Sequence, residues 1–176
     1  MPPEDASDFV IDYATGRQLP DIGAEMHRQT FEKFLVLEKG YEKSEIVVNW
    51  PFSVTIDEEP YHSRIDLLVR IGDTPWMVIK CAAASLDSRE REIVSAARLV
   101  STGQVPLAVA TDGKTAVVWD TVTGRKLGEG LDAVPDRSEA GKRMASLAPV
   151  PLPVARHRRE AIIFRSYDSM NVNIQR

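Results

Sequence analysis

Cysteine occurs once in the 176 residues, as Cys81, so no internal disulfide can form and no second thiolate exists for a cysteine-based zinc site. Histidine is almost as scarce: His27, His62 and His157 are scattered without ligand spacing, which argues against a histidine zinc centre. No apolar run approaches the roughly 20 residues of a membrane span, because charged residues interrupt every stretch, so no membrane association is expected. The N-terminal MPPEDASD is acidic and lacks an apolar segment, unlike a secretory signal, and a cytoplasmic location is expected. There is no internal repeat and no glycine-rich phosphate loop. Ser85 and Ser95 have no triad partner in view, and Cys81 has no histidine poised to activate it.

What is present is the composition of an ordinary globule, 43% hydrophobic and 27% charged, with a net charge of -4. The charge is unevenly spread. Residues 137–176 carry eight Lys/Arg against three acids, whereas the first 136 residues carry 14 basic against 23 acidic groups. So acidic a body repels phosphate and argues against tight nonspecific nucleic-acid binding by the body alone. The basic C-terminal stretch reads first as a solvated helix or a dock for the acidic body, with nucleic-acid contact as the second reading.

Length predicts one domain with tails: a flexible arm over 1–20, a core over 21–124 and a C-terminal extension over 125–176. Within the arm, Phe9 to Tyr13 could add a short edge strand. From Ile22 to Lys39 apolar residues recur at three- and four-residue steps, a helix with Asp21 at its N-cap and Gly40 at its stop. Strands follow at Glu45–Asn49 and, after Pro51, at Phe52–Ile56, then at Arg64–Ile71 and Trp76–Cys81. Leu86 to Ser101 returns to helical period, with Ile93, Ala96, Ala97 and Val100 inward and Glu90, Arg91, Glu92 and Arg98 mostly outward. Pro106–Ala110 and Ala116–Asp120 are short strands about the Asp112-Gly113 turn. Strand–helix–strand over 76–110 is a crossover, so the fold class is α/β: a mixed central sheet with an N-terminal helix before it. Residues 125–136 read as loop and 138–148 as a short helix. Pro149, Pro151 and Pro153 space out a terminal helix from Arg156 to Tyr167, with Ile162, Ile163 and Phe164 facing in.

Asp66 stands in the middle of an apolar strand, where a carboxylate needs a cation, either a metal or a basic side chain. On the next strand Lys80 and Ala82 share one face. A strand acid beside two such positions is the layout of a small magnesium phosphodiesterase site, in which carboxylates hold the metal and a lysine orients the attacking water. The blander readings are an Asp66 paired with Arg64 or Arg28, a Glu25–Arg28 pair exposed on its helix, and a Lys80 that snorkels into water.

Ala24-Glu25-Met-His-Arg28-Gln29, followed by Phe34 to Ile46, resembles the opening of the N-terminal nuclease domain of the type I restriction enzyme R subunit, a member of the PD-(D/E)xK superfamily. Arg64-Ile-Asp66 resembles its first catalytic strand, and Trp76 to Ala83 the strand that usually reads I-E-C-K-A. Ser95-Ala-Ala-Arg98-Leu99 sits where the family has Q-A-x-R-Y, and Val109 to Gly113 resembles its later strand and turn. The resemblance covers roughly residues 20–124 in unbroken order and implies a restriction-endonuclease-like core. It also implies a remnant catalytic set of Asp66, Lys80 and Glu25, and DNA contacts at Arg28, Arg64 and Arg98.

The departures fall on the site. Lys80 stands at the family's metal-binding Glu, Ala82 at its catalytic Lys, and Ser95 and Leu99 at the Gln and Tyr of the helix motif. Replacing a carboxylate by an ammonium sets two cations against each other, a repulsion of several kcal/mol even at an effective dielectric near 20. The expectation is that Lys80 takes the metal's place, pairing with Asp66 and with Glu25, and that no cofactor is held. The implied role is a non-catalytic, DNA-associated or partner-binding module, a homodimer or a restriction-system subunit. Two alternatives stay open: an active Mg2+-dependent endonuclease using Asp66 and Glu25 for the metal with Lys80 as a displaced lysine, and a structural or regulatory subunit that binds protein only.

Overall fold

The computed structural model describes residues 9–174. A hairpin of β1 (Phe9–Ile11) and β2 (Gln18–Pro20) leads into α1 (Glu25–Leu37). The central sheet follows as β3 (Ile46–Ile56), β4 (Glu59–Ile71), β5 (Thr74–Cys81), β6 (Leu107–Thr111), β7 (Ala116–Asp120) and β8 (Lys126–Glu129). Between β5 and β6 lies α2 (Glu90–Leu99), and α3 (Arg137–Ser146) and α4 (Val154–Ile174) end the chain. The six strands lie in sequence order, and all neighbours are antiparallel except β5 and β6. That parallel pair is the expected crossover, since parallel neighbours need a long connection and α2 supplies it.

Alternation along the strands divides the core in two. Met77, Ile79 and Cys81 face α1, packing with Phe31, Leu35, Leu67 and Val109. Val78 and Ala82 face the other way, against Ile93, Ala97 and Phe164 from α2 and α4. The chain stops α1 with Gly40 in the left-handed region (φ 76°), where a glycine carries no Cβ penalty.

Several expectations are corrected. Phe9–Ile11 pairs with Gln18–Pro20 in its own two-stranded sheet and does not extend the main one. Ala24, not Asp21, occupies the N-cap of α1. The two strands expected on either side of Pro51 are the single strand β3: it lies at the sheet edge, the place where a strand accommodates proline. Pairing nevertheless skips from Val48↔Leu67 to Trp50↔Ile65, with Asn49 at φ 54°. Asn is one of the few side chains that tolerates this conformation, and the irregularity falls opposite Asp66.

The segment expected as loop over 125–136 supplies β8, and the terminal helix is longer than its apolar cluster suggested. Helix α4 lies on α2, with Ala161 and Phe164 buried while Ile162 is 36% exposed. Phe164 meets Phe52 edge-on at 4.8 Å between ring centres. The C-terminal extension therefore closes the core on its α2 face. Phe164→Ala is expected to lower the unfolding free energy by about 3–5 kcal/mol, measured by urea denaturation, whereas a merely tethered tail would leave it unchanged.

Candidate functional site

The β4–β5 ladder ends at Leu67↔Ile79, while β5 stays paired with β6 as far as Cys81↔Thr111. The Cys81 N–H, released from strand pairing on that side, donates instead to Asp66 Oδ2 at 2.8 Å. A cleft of about 130 Å³ opens where the ladder stops, lined among others by Glu25, Arg28, Asn49, Arg64, Asp66, Lys80 and Asp168. Residues singled out on three separate segments of the sequence thus meet in one place. Arg98 lies elsewhere, between α2 and α4 against Glu160, 2.9 Å away.

Lys80 is the centre of the cleft's charge arrangement. Its Nζ lies 3.3 Å from Glu92 Oε1, 3.9 Å from Asp66 Oδ2 and 4.0 Å from Asp168 Oδ1. The three carboxylates come from β4, α2 and α4. Burial pulls the Lys80 pKa down, but Asp66, Glu92 and Asp168 together outweigh it and hold the ammonium above its ordinary value. Glu92, 2% exposed, is also raised, because burial outweighs the pull of Lys80 and of Arg89, which lies 3.7 Å from its second oxygen. Asp168 also accepts a 2.7 Å hydrogen bond from the Tyr61 hydroxyl.

Glu25 does not join Lys80. Arg28 and Gln29 hold its carboxylate, both from the same helix. Arg28 in turn donates to Asp12 at 2.7 Å and to Glu32 at 2.8 Å, so that three carboxylates surround one guanidinium. Glu32 also accepts from the Ala14 N–H, and Gln29 from the Tyr13 N–H, which ties the β1–β2 hairpin to α1. Burial, aided by the Asp12 charge and opposed by Arg28, raises the Glu32 pKa to about 8.

Sequence reasoning missed Glu92 and Asp168. The helical pattern puts Glu92 on the outer face of its helix, yet it precedes the inward Ala96 by one full turn and is buried. In α4 the row Glu160, Phe164, Asp168 carried the signal: acids one turn to either side of the buried phenylalanine share its face.

The metal that the resemblance implies does not fit these residues. An ammonium stands at the position of the metal-binding carboxylate, Glu25 is committed to Arg28, and Ala82 is packed into the core against α2. Among the described residues, no group of three His, Cys, Asp or Glu side chains is arranged to hold a metal ion.

A mixed sheet with a parallel β5–β6 pair, a crossover helix and an acid at the point where the β4–β5 ladder ends defines a restriction-endonuclease-like α/β core. The chain belongs to the family described as the type I restriction enzyme R protein N terminus, whose model matches residues 23–135. Among solved structures it is similar to a fragment described as an HsdR subunit of a type I restriction enzyme from Vibrio vulnificus YJ016. The two share 19% identity and a TM-score of 0.54, over 69% of this chain and 25% of that one. The chain thus covers about a quarter of that structure's length. No curated protein matches the sequence. No helix among the described residues is long and apolar enough to cross a membrane.

Two outcomes follow from the charges. Lys80→Met leaves Asp66, Glu92 and Asp168 together without their shared cation, an expected loss of about 3–5 kcal/mol at pH 7. That loss should shrink in urea titrations as pH falls and Glu92, whose pKa burial raises, takes up a proton. Glu32 has a folded pKa above its ordinary 4.5, so the folded state holds a proton that the unfolded chain releases. Its stabilising contribution is complete below that value and is lost as pH rises to about 8. Between pH 5 and 8, wild-type stability should fall relative to Glu32→Gln with a slope of up to about 1.4 kcal/mol per pH unit. Parallel pH profiles for the two proteins would contradict it.

Proposed function

We propose that this chain is a restriction-endonuclease-like module whose metal centre has been replaced by an internal cation, Lys80, and that it serves as a non-cutting, DNA-associated subunit of a restriction-type assembly in the cytoplasm. The observation that carries the reading is the Lys80 ammonium within 4.0 Å of carboxylates on three different elements. A divalent ion brought to Asp66 would face that ammonium at close range and meet a repulsion of several kcal/mol. The position where the family carries its water-orienting lysine is Ala82, 3% exposed, with no group to polarise water. The association with DNA rests on the family, named for restriction enzymes, and on arginines left on the surface.

One arrangement favours the second reading, an active Mg2+-dependent endodeoxyribonuclease with a rearranged site: Asp66, Glu25 and Lys80 do line one cleft. Supercoiled-plasmid nicking in Mg2+ or Mn2+ separates the two. The proposed reading expects no nicking above the background of Asp66→Ala and no submillimolar Mg2+ binding by calorimetry. Nicking that disappears in Asp66→Ala would establish the enzyme and overturn the non-cutting subunit.

A further inference from the structure

The inherited cleft carries no surplus of positive charge. Arg28, Arg64 and Lys80 on its walls are balanced by Glu25, Asp66 and Asp168, with Asp12 and Glu32 behind Arg28. A phosphate backbone gains nothing from a neutral surface backed by carboxylates. The opposite holds along the seam between α2 and α4. A groove of about 280 Å³ there is lined by Arg91, Arg98, Arg156 and Arg159 against Glu90 and Glu160, an excess of two positive charges.

This groove is built rather than incidental. Glu160, 1% exposed, spends one oxygen on Arg98 at 2.9 Å and Arg156 at 3.0 Å, and the other on the Ser95 hydroxyl at 2.9 Å. Arg98 is braced further by donating to the Thr121 carbonyl at 2.9 Å. The turn after β7 closes on it at Gly124, in the left-handed region (φ 73°), where an added Cβ would lie 3.2 Å from the guanidinium. Buried acid thus orients two arginines, and the exposed Arg91 and Arg159 stand beside them. Arg159 makes no ion pair among the described residues, and Arg91 makes only a long 3.4 Å bond to the Tyr167 hydroxyl. Fixed, planar, multi-donor cations with charge to spare suit phosphodiester oxygens.

From this we infer that the α2–α4 arginine groove, not the cleft at Asp66, is the surface that contacts the DNA phosphate backbone. The inference rests on the proposed DNA association and says where it occurs. It also gives the chain beyond residue 135, which lies outside the family match, a function: α4 supplies two of the four arginines and the acid that orients them. An acidic body can hold DNA only through a local surplus of this kind, and then with a marked salt dependence.

The test is fluorescence anisotropy of a labelled 20-bp duplex with the full chain between 50 and 200 mM salt, comparing wild type, Arg91→Ala/Arg159→Ala and Arg64→Ala. Both groove side chains are exposed, so unchanged thermal unfolding is expected and checks the fold. The double variant should weaken binding at least tenfold at 100 mM salt. It should also flatten the plot of log affinity against log salt by about 1.8, roughly 0.9 for each phosphate no longer neutralised. Arg64→Ala should change neither. If Arg64→Ala abolishes binding while the double variant keeps it, DNA lies in the cleft: the inference fails and the DNA-associated reading survives. If wild type binds no duplex at 50 mM salt, that reading fails and this one with it.

Discussion

The Lys80 ammonium sits where a strand, a crossover helix and the terminal helix converge, and each of the three contributes a carboxylate to it. None of these acids is tolerable alone: Glu92 and Asp168 are each 2% exposed, and an unpaired buried carboxylate costs more than most single contacts return. The arrangement therefore constrains the fold as much as the fold constrains it. α4 cannot leave α2 without taking Asp168 from Lys80 and uncovering the apolar face that Phe164 fills. Lys80 thus serves as a charge anchor between layers.

A second anchor lies on the far face of β5. Arg28 gathers Asp12, Glu25 and Glu32, and through them the β1–β2 hairpin is held to α1. The surplus of negative charge is relieved by a proton, which is why Glu32 titrates near 8 while Asp12 beside it is held below its ordinary value. For Asp12, burial acts upward, but hydrogen bonds from Thr15 and the charge of Arg28 prevail. Between the two anchors runs Cys81, whose thiol burial pushes well above its usual range. It behaves as a small core side chain, and its backbone N–H, not its sulfur, touches the site through Asp66.

Two side chains of α2 are held by the helix that follows the family match. Ser95 and Arg98 both bond Glu160 of α4. In this chain the acids of α4 do for Lys80 and Arg98 what solvent or substrate would otherwise have to do.

Much of the core was legible in the residues. Alternation in Phe52–Ile56, the apolar runs Ile65–Val69 and Trp76–Cys81, the change to helical period after Leu86 and the glycine at position 40 each reflect local rules, namely which face of a strand or helix is apolar and where the backbone turns. The motif order from Glu25 to Gly113 placed Asp66 opposite Lys80 because neighbouring strands bring such positions together by geometry alone. What the residues did not reveal was their charge partners. Glu25 turns to Arg28 rather than Lys80, and Lys80 finds Glu92 and Asp168, one of them 88 positions along the chain. Pro51 read as a break because its position at a sheet edge is a property of the whole sheet. Periodicity records which side of an element is buried, and that is settled within a few residues. Which charges meet inside is settled only when distant elements pack, since the energy of a buried ion belongs to the pair and its surroundings, not to the residue.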